Sequence, residues 1–282
     1  MQQRNLGPRT VSAIGLGAMP MSIEGRPDEA RSIATIHAAL DAGITLIDTA
    51  DAYHLEAGEV GHNERLIAKA LVEYGSPEVV VATKGGHLRP GDGSWTQDGS
   101  PAHLVEAGRA SAERLEGQIG LYYYHRPDPK VPYADSIGAL QQLLEEGTIR
   151  WAGVSNASVE QIQIAQRILG DRLVAVQNQF SPSHLDSSTE MEYCAQVGLA
   201  FLPWSPLGGI RGAGALGGRH TAFQEVADAH GVSPQQVALA WELALAGVVI
   251  PIPGASRPES IIDSAKAADL ALTSDDLVKL QA

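Results

Sequence analysis

The sequence predicts an α/β fold, a (β/α)8 TIM barrel entered through a short N-terminal β-hairpin. Three observations lead there. Short apolar runs recur along the chain, and each is followed by a segment whose apolar residues repeat at helical spacing. Eight such pairs can be counted, and strands that are apolar on both faces require a parallel sheet covered by helices. The 282 residues contain no linker or shift in composition, so a single domain spans 1–282, a length at which α/β barrels remain undivided. An open doubly wound sheet is the alternative arrangement.

The elements follow in order. Residues 4–12, with Gly7-Pro8 at the centre, read as a hairpin that plugs one end of the fold. The first strand is 14–19 and the first helix 28–42, stopped by Gly43. The alternation continues with strand 45–48, helix 64–74, strand 79–83, helix 102–115, strand 121–124 and helix 134–146. The second half supplies strand 151–154, helix 159–169, strand 174–177, helix 187–197, strand 199–204, helix 234–246, strand 248–251 and helix 258–268. Ser158 with Gln161, and Ser233-Pro234 with Gln236, are capping patterns that start helices. Two connections are longer than the rest, 85–100 and 205–221. Both leave the C-terminal ends of strands, where a barrel builds its site, and their glycines suit lids or tight turns.

Twenty basic against 33 acidic residues leave a net charge of −13. That balance gives no footprint for nucleic acid or an anionic membrane. No apolar run reaches a membrane span, the first residues have no signal-peptide core, and the single Cys194 cannot close an intramolecular disulfide. A cytoplasmic protein is expected. The nine histidines are scattered and no HExxH or CxxC pattern occurs, so no metal site is expected.

Three strands end in chemistry. Leu46-Ile47 runs into Asp48, with Tyr53 five residues on; 79–83 runs into Lys84; Leu121-Tyr122-Tyr123-Tyr124 runs into His125. In a barrel an acid, a phenol, an amine and an imidazole then meet at one rim. Separately, each has an ordinary structural use as an ion pair, a packing residue or a turn cap. Together they can reduce a carbonyl: a tyrosine with a pKa of about 10 is a slow acid, a neighbouring ammonium makes its proton easier to give, and a carboxylate keeps that ammonium charged. A neutral His125 can hold the substrate oxygen beside Tyr53.

In the contexts IDTADAY, VATKGG and YYYHRPDP this set resembles the catalytic tetrad of the aldo-keto reductases, and the resemblance runs along almost the whole chain. It implies an NAD(P)H-dependent enzyme that interconverts carbonyls and alcohols, with Asp48, Tyr53, Lys84 and His125 as the tetrad, Tyr53 as general acid and hydride from a nicotinamide cofactor in the barrel mouth. No Rossmann glycine motif is present. The barrel itself must therefore hold the cofactor: Ser155, Asn156 and Gln177 at the carboxamide, and Trp204 stacked on the ring where the family more often has tyrosine. Ser205, Pro206, Leu207 and Gly208 follow for the pyrophosphate, with Gly254 and Ser256 leading to a helix N-terminus. Arg257 suits the 2′-phosphate of NADP, which is expected over NAD; a capping Ser256 beside a solvated Arg257 is the plain alternative. Where the family has a Glu-Asn pair at the adenine, this chain has Asp263 and Ser264.

Met19, Met21, His54, His87 and Trp95 are expected at the lip of the pocket. With little chain after the last helix, an open pocket for a small-molecule carbonyl substrate is expected, without a partner in nucleic acid or membrane. Two rival functions share the fold: a cofactor-sensing regulatory subunit, and an aldolase or isomerase whose Lys84 forms a Schiff base.

Overall fold

A computed structural model describes residues 1–209 and 212–280. The chain opens on an antiparallel hairpin, β1 (Gln3–Leu6) and β2 (Arg9–Ser12), paired from Gln3↔Ser12 to Leu6↔Arg9 and turned at Gly7 with φ of 58°. The parallel strands follow as β3 (Leu16–Gly17), β4 (Leu46–Asp48), β5 (Val80–Gly85), then β8 (Ile119–Tyr124), β9 (Ile149–Ser155), β10 (Leu173–Gln177) and β11 (Ala200–Phe201). Each lies beside the next in that order. A short antiparallel pair, β6 (His87–Leu88) and β7 (Thr96–Gln97), fills the connection after β5.

The sheet closes through residues 248–254. Val249 bridges to Phe201 and Gly254 to Gly17, and the amides of Gly15 and Gly17 donate to the carbonyls of Pro251 and Pro253 at 2.9 and 3.0 Å. The expected eighth strand at 248–251 is thus in place but carries isolated bridges rather than a ladder. Pro251 and Pro253 have no N–H to give, so the pairing cannot run continuously. Pro203 shortens β11 to two residues for the same reason.

The barrel interior is apolar. Leu46, Ala82, Leu121, Tyr123, Trp151, Ala175, Leu202 and Ile250 form one cluster, which Leu6 and Val11 of the hairpin join. The hairpin therefore stoppers the end away from the C-terminal rim. Outside lie the helices α1 (Glu29–Asp41), α2 (His62–Tyr74), α3 (Pro101–Arg114), α4 (Tyr133–Glu145), α5 (Val159–Leu169), α6 (Ser188–Val197), α9 (Pro234–Leu245) and α10 (Pro258–Lys266). Ser158 accepts from Gln161 N, and Ser233 from Gln236 N with Pro234 at the first turn, as the capping patterns require.

Three further helices were not expected: α7 (Leu216–Arg219), α8 (Thr221–His230) and α11 (Ser274–Leu280). The first two fill the connection after β11. Phe223, Val226 and Ala227 are buried at i, i+3 and i+4, a helical spacing that the preceding glycines obscure. Cys194 is buried on α6 and its thiol is pushed up to about 12 by burial, then by Glu190. Among the described residues no helix is long and apolar enough to cross a membrane.

At the closing seam a Cβ on Gly17 would lie 2.8 Å from the Ile252 carbonyl oxygen, whereas one on Gly138 of α4 meets nothing within 4 Å. Gly17→Ala is expected to destabilise the fold by about 1–3 kcal/mol through overpacking. Gly138→Ala is expected to stabilise it by about 0.5–1 kcal/mol through helix propensity. Urea unfolding midpoints check both signs.

Candidate active site

Asp48 ends β4, while Lys84 lies inside β5 rather than after it. The register Asp48↔Ala82 leaves Lys84 two residues further up the neighbouring strand. His125 follows β8 directly, its amide bonded to the Gly85 carbonyl at 3.0 Å. Tyr53 folds back from the turn after β4. All four side chains are buried at one rim.

The centre is the Lys84 ammonium. It donates to Asp48 Oδ1 at 2.5 Å, to the Thr49 carbonyl at 2.7 Å and to the Tyr53 hydroxyl oxygen at 3.2 Å. An ammonium has three protons, and three acceptors take them. Tyr53 therefore accepts from Lys84, which leaves its own proton to be given elsewhere. Asp48 Oδ2 accepts from Gln177 Nε2 at 2.7 Å, so both carboxylate oxygens are engaged.

Burial opposes charge on each partner, and the balances differ. At Lys84 burial is outweighed by Asp48 and Tyr53, which hold the amine above its ordinary value. At Asp48 burial prevails over Lys84 and Gln177 and holds the carboxyl above the usual carboxylate value. These two directions pull against each other across one contact. The amine, with a full set of acceptors, is the better guide, and the pair is ionised. For Tyr53, burial raises the phenol above its ordinary value although Lys84 pulls it down. The ammonium acts in the expected sense, making the proton easier to give, and burial is the opposing effect that outweighs it.

His125 is neutral. Burial, then the charges of Lys84, His87 and Arg126, push it well below its ordinary value, and its Nδ1 is buried without a partner. Its ring meets Tyr53 edge-on at 5.9 Å and His87 at 4.9 Å, and His87 stacks on Trp95 at 4.8 Å. His87 is itself pushed down to about 4 by burial and then by Arg126.

These groups open on a cleft of about 520 Å³. Met19, His87 and Trp95 line it as expected, with Pro20, Ile23, Glu24 and Arg126, which the sequence reading did not single out. Met21 and His54 do not. Met21 packs in the apolar cluster around α1, and His54 is buried with Nδ1 on the Glu56 carbonyl oxygen at 2.7 Å. A side chain of the 85–100 loop latches across the lip to the connections after β3 and β4: Arg89, against Trp95, pairs with Glu24 and donates to the His54 carbonyl at 2.6 Å.

The opposite wall carries the residues read as a cofactor site. Ser155 donates to the Gln177 carbonyl at 2.7 Å. Asn156, at φ of 55°, donates to the His125 carbonyl at 3.0 Å and accepts from the Trp204 indole at 3.2 Å. One amide thus fixes the indole relative to the His125 backbone. Ser205, Pro206, Leu207, Gly254 and Ser256 line the cleft, as does Ser260, which sequence reasoning missed. Gly208 shapes the turn behind them, its amide bonded to the Ser205 carbonyl at 2.9 Å.

The N-cap of α10 is Arg257, not Ser256, and no side chain caps this helix. The exposed guanidinium donates to Ser260 Oγ at 2.7 Å. Asp263 and Ser264 stand apart from the cleft. Asp263 accepts from Ser233 Oγ at 2.6 Å and Gln236 Nε2 at 2.5 Å, which ties α10 to the start of α9, and Ser264 is buried.

Supporting polar groups lie beneath. Asn63 accepts from the Thr49 hydroxyl at 2.6 Å and donates to Ala18 O and Ser22 Oγ, which steadies the segment whose carbonyl meets Lys84. Glu64 joins Thr83 and Arg114. Beside it Asp51 is buried with Oδ1 unbonded, its carboxyl pushed well above the ordinary value by burial and then by Glu64.

Residues 13–282 match the model of the Aldo/keto reductase family. The chain is 35% identical over 280 residues to an uncharacterized oxidoreductase of Schizosaccharomyces pombe, covering 98% of this chain and 87% of that protein. It is 33% identical over 268 residues to a 6-dehydroglucose reductase of Novosphingobium aromaticivorans, covering 91% and 86%. Among solved structures, an aldo/keto reductase from Klebsiella pneumoniae in complex with NADP and acetate superposes with a TM-score of 0.83 at 26% identity, covering 99% of this chain and 94% of that one. A rim of this composition on a (β/α)8 barrel, with a family match over nearly the full length, establishes that the chain belongs to the aldo/keto reductase family, a family of oxidoreductases.

Proposed function

We propose that this protein reduces an aldehyde or ketone to the alcohol with NADPH, the proton coming from Tyr53 and no metal taking part. The observation that carries this reading is the hydrogen-bond direction at Tyr53. Because its oxygen accepts from Lys84, its proton is free to point at a substrate in the cleft. A carbonyl oxygen held by Tyr53 and the neutral His125 receives that proton, and Lys84 then steadies the phenolate left behind. Asp48 balances the ammonium throughout.

The nicotinamide, when bound, supplies the hydride that goes to the carbonyl carbon. The residues present fit such a group: Trp204 offers a flat face fixed by Asn156, and the uncapped start of α10 meets the cleft at Ser256 and Ser260. We assign Ser155, Asn156, Gln177 and Trp204 to the nicotinamide end. Ser205, Pro206, Leu207 and Gly208 take the pyrophosphate, and Gly254, Ser256, Ser260 and Arg257 the 2′-phosphate end. With Gln177 Nε2 committed to Asp48, its contribution at the carboxamide falls to Oε1. Asp263 and Ser264 take no direct part, because Asp263 is engaged at the α9 cap. The complex of the Klebsiella relative with NADP supports the choice of cofactor. The 6-dehydroglucose reductase relative supports a polar carbonyl substrate. A Schiff-base reaction is disfavoured because Lys84 is buried and fully donated as an ammonium, with no lone pair to attack a carbonyl.

Loss of NADPH absorbance with a panel of aldehydes and ketones tests the reading. Tyr53→Phe should lower kcat by about 100- to 10,000-fold, the usual worth of a general acid; equal consumption by both proteins would remove Tyr53 as the acid, and no consumption by the parent would favour the regulatory-subunit reading. Because Tyr53 is raised above 10.0 and His125 lowered well below 6.5, neither changes protonation between about pH 7 and 9, and kcat/KM for reduction should be flat there. A limb centred in that window would contradict the assignment. Arg257→Ala should weaken NADPH by about tenfold, the worth of one charge-assisted bond, while NADH changes by less than about twofold. Equal losses would place the 2′-phosphate elsewhere.

A further inference from the structure

The charges on the cleft wall do not balance. Glu24 is neutralised by Arg89, which latches it across the lip, and Asp48 by Lys84. His87 and His125 are uncharged. That leaves Arg126, which lines the cleft beside them and is half-buried. Among the described residues its side chain has no ion-pair partner, and burial alone perturbs it. Arg126 also lines a second, polar recess of about 360 Å³ with Asp186 and Glu190, and neither carboxylate pairs with the guanidinium.

Arg126 also has a definite place relative to the reacting groups. It directly follows His125, and its charge is felt at both His125 and His87. It therefore stands beside the reacting groups, at the edge where the cleft meets a second recess that Arg126 lines together with Asn156 and Trp204. A planar guanidinium with five donors and no acceptor, partly removed from water, suits a carboxylate or phosphate oxygen pair. The net charge of −13 repels anions at long range, but at physiological salt that field fades within about 8 Å, and inside the cleft the unmatched cation dominates.

We propose that Arg126 is a specificity residue that seats the carboxylate or phosphate of an anionic carbonyl substrate, with the carbonyl a few atoms away between Tyr53 and His125. This deepens the reductase reading and rests on it. Two kinds of substrate share the chemistry, short oxo-acids and phosphorylated aldehydes, and the assay separates them.

With saturating NADPH and the full chain, kcat/KM is measured for 4-oxobutanoate against 4-oxobutanamide, and for glycolaldehyde phosphate against glycolaldehyde. The parent should prefer the anion in at least one pair, mainly through KM, and lose that preference as salt rises. Arg126→Gln should cut the anion-to-neutral ratio by about tenfold or more, and Arg126→Lys should restore part of it. An unchanged ratio in Arg126→Gln, or a parent that favours the neutral member of both pairs, overturns the proposal.

A binding assay separates this failure from failure of the reductase reading. Succinate and butyrate are titrated against the tryptophan fluorescence of Trp95 and Trp204, which line the cleft. Tighter binding of the dianion that disappears in Arg126→Gln supports the anion seat even if no carbonyl is turned over. Equal affinity for the two acids in the parent, or the same difference in both proteins, refutes it whatever the turnover.

Discussion

A primary ammonium with no exposure to water is the constraint around which this molecule is arranged. Lys84 is wholly buried, and an isolated charge there would cost several kcal/mol. It is tolerated because the end of one neighbouring strand, β4, and the turn after it deliver three acceptors: the Asp48 carboxylate, the Thr49 carbonyl and the Tyr53 oxygen. Two of these are held in turn, Asp48 by Gln177 and the Thr49 segment by Asn63. Removing one acceptor would leave a donor unsatisfied in a dry place. The same arrangement that lets the charge exist also fixes the direction of the tyrosine proton.

The barrel makes this possible by bringing together residues far apart in sequence. Gln177 and Asp48 are separated by 129 positions, yet parallel strands with matched registers raise both to the same rim. Closure depends on a seam where prolines interrupt the ladder and Gly17 permits close backbone approach. Stability at the lower end comes from the hairpin, whose Leu6 and Val11 extend the interior core. The rim can therefore be polar because the rest of the barrel is densely apolar.

Much of this was legible in the sequence. Asp48, Lys84 and His125 stand out because each interrupts an apolar run at its C-terminal end, and the helix caps at Ser158 and Ser233 were readable from local spacing. What could not be read depends on partners supplied by other elements. Nothing near Gln177 announces that its amide serves Asp48, nor near Asp263 that it holds the side chains of Ser233 and Gln236 at the start of α9. Arg126 was hidden by its position in a turn-like HRPDP stretch, where an exposed arginine is the ordinary expectation. The sense of the Tyr53 shift was also beyond the sequence, because it depends on how deeply the phenol is buried as well as on the nearby amine.

The central claim is that Lys84 is a permanent cation that donates to Tyr53 rather than a neutral nucleophile. Nitrogen-15 NMR of the Lys84 ammonium as a function of pH measures this directly. The structure predicts an ammonium signal that does not titrate below the ordinary lysine value of 10.5. Deprotonation near neutral pH would contradict it and would turn the site toward amine chemistry.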